Sequence, residues 1–179
     1  FSWRLSTALS NFEANSDYRD VQDPAITVAM PIIEEPGTSL LIWTTTPWTL
    51  PSNLAIAVGR EITYVRARRA DDDHVYIVAE ELAKRTLGDE VEILTRCTGE
   101  SLIGLSYEPI FDYFADHPNS FKVIGGDHVT TADGTGLVHM APDFGEDDFA
   151  ACKDAGIHVL LSVDNEGRFV EAVRDFAGR

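Results

Sequence analysis

The sequence predicts a mixed α+β domain, with a barrel-like β core of many short strands and small peripheral helices. Three observations carry this. Short apolar stretches recur along the chain, separated by turns rich in Gly, Pro, Asn and Asp. Only two segments, Glu80–Leu87 and Glu146–Ala155, have the composition and stops of helices. The strands are not separated by regular helices, which disfavours a doubly wound parallel sheet. With 44% hydrophobic residues among 179, one domain of ordinary size can bury a sizeable core.

Taken in order, residues 1–20 are polar with scattered apolar side chains and read as a leading arm. The core is expected over 21–165, with an exit arm over 166–179. Asp23–Pro24 starts a turn into a strand at Ala25–Ile33, where Pro31 marks an edge or a bulge. After the turn Glu34–Ser39, Leu40–Trp43 is a strongly apolar strand. A Thr- and Pro-rich loop follows, and strand pattern resumes at Leu54–Val58. Ile62–Arg69 alternates as a half-buried strand, and a hairpin-like connection leads into His74–Ala79. Glu80–Leu87 is a turn or two of helix stopped by Gly88.

Val91–Leu94 is a short strand, and Cys97–Leu105 is Gly-rich and irregular. Tyr107–Phe114 is dense in aromatics, compatible with an apolar lid or with a loop packed on the barrel. Phe121–Gly126 and Gly136–Met140 are strands. Glu146–Ala155 is a helix ended by Gly156, and Ile157–Val163 is expected as a last core strand. No repeat or low-complexity segment interrupts this order.

The formal charge is −16, from 14 basic and 30 acidic residues. Binding of bare nucleic acid by this piece alone is therefore disfavoured, because phosphate contacts need cations. Docking of a short nucleic-acid end held by other parts of a larger protein remains compatible with that charge. No apolar run approaches membrane-spanning length, and the N-terminal residues do not suggest a signal peptide. Cys97 and Cys152 are isolated, which fits a reducing compartment and builds no zinc site. The chain opens and closes without clear caps, as a piece of a longer protein would.

Two stretches carry chemistry. Leu40–Val58 (LLIWTTTPWTLPSNLAIAV) flanks a turn with Thr44, Thr45 and Thr46 in a row. A turn uses Pro and Asn but does not require three consecutive hydroxyls behind a buried strand. Such a loop either continues a β-branched strand or forms a cradle of hydroxyls and backbone groups fixed by Pro47 and Pro51. The partner stretch is Gly134–Asp148 (GTGLVHMAPDFGEDD), with His139 at a strand end and Glu146, Asp147 and Asp148 in the first turn of a helix. Three acids exceed what capping and dipole compensation need, and an ionised carboxylate there suits a substrate ammonium. The spacing does not choose among the three. His139 reads equally as a satisfied core histidine or as a pocket wall. His74, His117, His128 and His158 read as surface, turn or strand residues, and a metal is disfavoured. Phosphate loops, dinucleotide fingerprints and the serine-hydrolase elbow are missing from the sequence.

Together, Trp43–Val58 and Gly134–Asp148, about ninety residues apart, resemble the paired signatures of the editing domain of isoleucyl-tRNA synthetase, often called connective peptide 1. Tyr18–Ile32 also resembles the segment that leads into that domain, so the likeness covers nearly the whole chain. Valine and leucine enzymes typically carry Thr-Thr-Arg-Pro where this chain has Thr44-Thr45-Thr46-Pro47, so Thr46 favours the isoleucine type. One departure is at Trp3–Ala8, where many relatives carry a cysteine pair and this chain has none.

The resemblance implies hydrolysis of valine mistakenly esterified to the isoleucine tRNA, and of valyl-adenylate, with isoleucine excluded by size. It implies that Thr45, Thr46, Asn53 and Asp148 act in catalysis. Thr44, Trp48, Thr49, His139 and Asp148 would bind substrate, with Asp148 on the α-ammonium and His139 lining the amino-acid pocket. No metal or cofactor is implied for editing; ATP and magnesium would belong to a synthetic core outside this chain. The implied partners are the 3′ end of the tRNA, the adenylate and that core, with no membrane. The implied setting is the cytoplasm, and the isolated domain would be a monomer. Alternatives are a module that binds the acylated end without hydrolysing it, or an editing domain of the valine or leucine type.

Overall fold

Two sheets of unequal size hold the core. A computed structural model describes residues 2, 5, 7–16, 18–20 and 22–179. Among them, the strands are β1 (Ile26–Pro31), β2 (Thr38–Thr44), β3 (Ala55–Val58), β4 (Thr63–Arg68), β5 (Val75–Ala79), β6 (Glu92–Thr98), β7 (Lys122–Gly125) and β8 (Leu137–Met140). The α-helices are short: α1 (Asn11–Asn15), α2 (Ala83–Leu87) and α3 (Glu146–Asp154). The larger sheet runs β1-β2-β5-β4-β6 and the smaller β7-β3-β8. Pairings are antiparallel except β2 with β5 and β3 with β7. The mixed α+β expectation therefore holds, and Pro31 ends an edge strand, where a missing N–H breaks no ladder.

β2 and β3 read as unbroken apolar runs because both their faces are covered: Leu40, Ile42, Ile56 and Val58 are fully buried. Their partners include Tyr64, Ile77, Leu137 and Met140. The two sheets meet at two seams. On one, Ile32 bridges to Tyr107 and Ser106 bridges to Lys122. On the other, Ala79 N–H donates to Thr135 O at 2.9 Å and Tyr64 Oη donates to Gly136 O at 2.6 Å. The core is thus barrel-like but not a closed barrel. β7 and β8 are only four residues long, leaving too little backbone to carry a continuous ladder around the seams.

Other expectations change as well. Ile157–Val163 is not a core strand: Val159 and Leu161 are exposed, while Ile157 and Ser162 turn inward. Ser162 N–H and Oγ–H both donate to the Asp143 carboxylate, and Val163 bridges to Phe169, so the segment is held by a side chain and a local bridge and joins neither sheet. β6 extends through Cys97 and Thr98, which the sequence places in irregular chain. The Tyr107–Phe114 segment is a packed loop: Tyr107 is fully buried, and Phe111 stacks on Tyr113 at 5.3 Å. The 166–179 tail folds onto it, with Phe176 edge-on to Phe111 and Arg174 pairing with Asp112 at 2.5 Å. In the leading arm, α1 begins with a capping box between Ser10 and Glu13. Of the Trp3–Ala8 departure, residues 3, 4 and 6 lie outside the described residues.

Candidate functional site

The two motif stretches face each other across a cavity of about 600 Å³. Its walls are the Thr loop, the 128–136 connection, β8 and the start of α3. A second recess of about 660 Å³ lies between Gly59–Thr63, Glu80–Glu81 and the 126–131 turn, and it gathers carboxylates with none of the motif side chains.

The Thr loop is built by its own hydroxyls. β2 ends at Thr44, whose Oγ1 accepts from Thr46 N–H at 3.0 Å. Thr46 O then accepts from both Thr49 N–H at 3.0 Å and Thr49 Oγ1–H at 2.8 Å, opening a 3-10 turn over Pro47–Ser52. Pro47 stands at the first position of that turn, where its missing N–H leaves no bond unmade. Thr44 and Thr49 are buried, whereas Thr45 and Thr46 are exposed at the cavity. Thr46 Oγ1 lies 3.3 Å from Thr44 Oγ1 and 3.4 Å from Thr49 Oγ1. The Thr45 hydroxyl makes no hydrogen bond among the described residues, so its full capacity faces the cavity. Trp43 and Trp48 stand on the same wall with part of each ring in solvent.

His139 enters from β8, opposite Ile56 of β3, and is 7% exposed. It is both a satisfied core histidine and a cavity wall: Nε2 lies 2.8 Å from Thr49 Oγ1 and Nδ1 lies 3.3 Å from Asn53 Nδ2. Burial pushes its pKa down to about 4, so the ring is neutral near pH 7. Asn53 does not line the cavity. Its amide also donates to Ala55 O at 2.9 Å and accepts from Tyr107 Oη at 2.6 Å, so both of its N–H groups and one oxygen lone pair are engaged behind the wall, and the structure does not bring it to the cavity with the other expected residues.

The helix start resolves the three acids. Asp148 alone of them lines this cavity; Glu146 and Asp147 are exposed, and Asp147 faces a recess on the other side of α3. Asp148 Oδ2 accepts from Ala141 N–H at 2.8 Å, tying α3 to the end of β8. Burial raises the Asp148 pKa. The Ala141 N–H and the charge of His128 pull it back, and the neighbouring Asp147 and Asp143 push it up again. A partly buried carboxylate lacking a full countercharge is suited to receive a cation.

Glycines shape the wall between. Gly134 and Gly136 both have positive φ, +75° and +79°. A Cβ on Gly136 would lie 2.4 Å from Ala79 Cβ, so only glycine lets β8 begin against the end of β5. Two residues escape sequence reasoning. His128 sits on the cavity wall near Asp148, its Nε2 buried without a partner among the described residues. A histidine in a turn carries no periodic signal that would have found it. Tyr107 reaches Asn53 from a loop outside both motifs.

A scan against protein-family models finds no match. The chain is 49% identical over its whole length to isoleucine–tRNA ligase of Bdellovibrio bacteriovorus, covering 17% of that protein. It is 47% identical over its whole length to the Mycobacterium tuberculosis enzyme, covering 18% of it, and 44% identical to that of Corynebacterium diphtheriae, covering 19%. The chain thus spans under a fifth of the length of these curated relatives. Among solved structures, its fold is similar to GlLeuRS-CP1, with TM-score 0.59 and 20% identity over 73% of this chain and 58% of that one. It is also similar to the P. knowlesi cytosolic leucyl-tRNA synthetase editing domain, with TM-score 0.57 and 13% identity over 73% of this chain and 62% of that one.

Proposed function

We propose, from the premise that this chain belongs to the isoleucyl-tRNA synthetase family and makes up one segment of such a protein, that it is the editing domain. It hydrolyses valine mistakenly esterified to the isoleucine tRNA, and valyl-adenylate. The need is physical: a synthetic site shaped for isoleucine discriminates against valine by only ~1–3 kcal/mol, the worth of one methylene. A second pocket that admits valine and excludes isoleucine corrects the remainder.

One observation carries this reading: Asp148 and His139 face the same cavity as Thr45 and Thr46. In the proposed complex the α-ammonium of the amino acid supplies the countercharge that Asp148 lacks. The His139 ring, fixed at both nitrogens, closes the side-chain end of the pocket against the extra methylene. Thr45 and Thr46 hold the ester and the attacking water, and Trp48 and Thr44 shape the wall behind them. Water adds to the ester carbonyl, the carbonyl oxygen takes the negative charge, and the C–O bond to the ribose breaks. The products are free valine and a ribose hydroxyl that takes up a proton. His139 is not the base in this scheme, because both its nitrogens are engaged and its pKa is pushed down to about 4. Rate enhancement comes from positioning and from polar groups aimed at the developing oxyanion, helped by a hydroxyl of the terminal ribose.

The test is deacylation of Val-tRNA and Ile-tRNA, side by side, by the full-length protein that carries this chain. The reading expects hydrolysis of the valyl ester and sparing of the isoleucyl ester. Binding of both without turnover favours a non-hydrolytic module instead.

A further inference from the structure

Four side chains form one directed line of hydrogen bonds behind the cavity wall. Tyr107 Oη–H donates to Asn53 Oδ1 at 2.6 Å. Asn53 Nδ2 donates to Ala55 O at 2.9 Å and lies 3.3 Å from His139 Nδ1. His139 Nε2 lies 2.8 Å from Thr49 Oγ1, which is 2.8 Å from Thr46 O. Two backbone carbonyls on this line, Ala55 O at Asn53 and Thr46 O at Thr49, can only accept. Ala55 O requires the NH₂ side of Asn53 to face it, so the same nitrogen donates to His139 Nδ1, which must be bare. Thr46 O takes the single Thr49 hydroxyl proton, so Thr49 Oγ1 must accept from His139, which requires a proton on Nε2. Two independent anchors demand the same imidazole tautomer.

We infer that Tyr107 is a positioning residue for editing selectivity: through Asn53 it reinforces the tautomer that the Ala55 and Thr46 carbonyls demand and holds the tilt of the His139 ring that limits the pocket. The inference rests on the editing reading of the cavity. Tyr107 is suited to this because it has no freedom of its own. It is fully buried, its N–H donates to Phe121 O at 3.0 Å, and its ring lies edge-on to Phe121 at 6.0 Å. Its hydroxyl stays protonated because burial raises its pKa well above the usual value, so it remains a donor. Without that donor the buried Asn53 Oδ1 loses its partner, and the amide keeps only one of the two bonds, that to Ala55 O, which oppose its rotation. An Asn53 turned the other way would offer an oxygen to Nδ1 and favour the wrong tautomer, letting the ring swing out of the wall.

Two measurements test this on the full-length protein carrying the chain, labelled with ¹⁵N at histidine. The first needs no variant of Tyr107: the His139 imidazole resonances, assigned by their loss in His139→Gln, should report a protonated Nε2 and a bare Nδ1. A protonated Nδ1 overturns the inference. The second compares Tyr107→Phe with the unsubstituted protein in deacylation of valyl and isoleucyl esters. The kcat/KM ratio of valyl to isoleucyl ester should fall by about tenfold, mainly through faster attack on the isoleucyl ester. A merely destabilised protein would lose both activities together, and that outcome, or an unchanged ratio, overturns the inference. If the unsubstituted protein hydrolyses neither ester, the editing reading fails, and the tautomer alone decides whether the line of hydrogen bonds exists.

Discussion

His139 Nε2 and Thr49 Oγ1, ninety residues apart in the chain, lie 2.8 Å from each other and join the two motifs at one point. The bond places a neutral ring against the cavity with the Thr loop as its support. Replacing His139 by Ala removes the ring from the wall. Attack on isoleucyl-tRNA should then rise by about tenfold or more, the discrimination that one methylene commands. Single-turnover deacylation of both esters measures it, and an unchanged preference would take His139 out of the size filter.

The same histidine gives the protein an acid limb in its stability. Its pKa falls from 6.5 in the unfolded chain to about 4 in the fold because burial disfavours the imidazolium. Between those values the unfolded chain binds the proton and the folded one does not, so stability drops as pH falls from 6.5 towards 4. The full effect is roughly 3 kcal/mol, and above pH 6.5 this group contributes no pH dependence. Urea unfolding from pH 4 to 7 should show that limb, and His139→Gln should flatten it.

Asp148 has the opposite sign. Its pKa is raised in the fold, chiefly by burial, so the folded state binds the proton more readily than the unfolded one. Its ionised form therefore weakens the fold at neutral pH, and stability from this group rises as pH falls through the raised value. Asp148→Asn keeps an acceptor for Ala141 N–H and removes the charge. The variant should melt at a higher temperature near pH 7 and lose deacylation by on the order of 100-fold, through loss of the ammonium contact. Calorimetry and single-turnover kinetics on the same sample separate the two effects.

Thr45 and Thr49 differ in what their hydroxyls touch. Thr45 makes no hydrogen bond among the described residues, whereas Thr49 both supports His139 and closes the loop on Thr46 O. Thr45→Ala should leave stability within about 0.5 kcal/mol and lower valyl-ester hydrolysis by about tenfold. Thr49→Val should cost about 1–3 kcal/mol of stability, because it strands a buried imidazole N–H without an acceptor. Denaturant titration alongside deacylation distinguishes a ligand-facing hydroxyl from a structural one.

The sequence by itself determined most of the strands and the two motifs. Apolar runs at Leu40–Trp43 and Leu54–Val58 need burial whatever surrounds them, and Gly88 and Gly156, both at positive φ, stop helices by local backbone geometry. The pairing of the Thr loop with the acidic helix start came from the likeness of both motifs to one family, and their facing each other is seen in the structure. Tertiary structure alone decided the rest. Ile157–Val163 has the pattern of a strand, but it bonds Asp143 and bridges locally to Phe169, outside both sheets. Local spacing made Glu146, Asp147 and Asp148 equivalent; of the three, only Asp148 bonds the backbone at the end of β8 and lines the cavity. Asn53, in the loop beside the threonines, spends its amide on Ala55, His139 and Tyr107, and only the packing of a distant aromatic loop reveals that. Periodicity and turn chemistry act over a few residues and can be read along the chain. Hydrogen-bond partners and the burial of a charge depend on which distant segments pack together, and those exist only once the chain has folded.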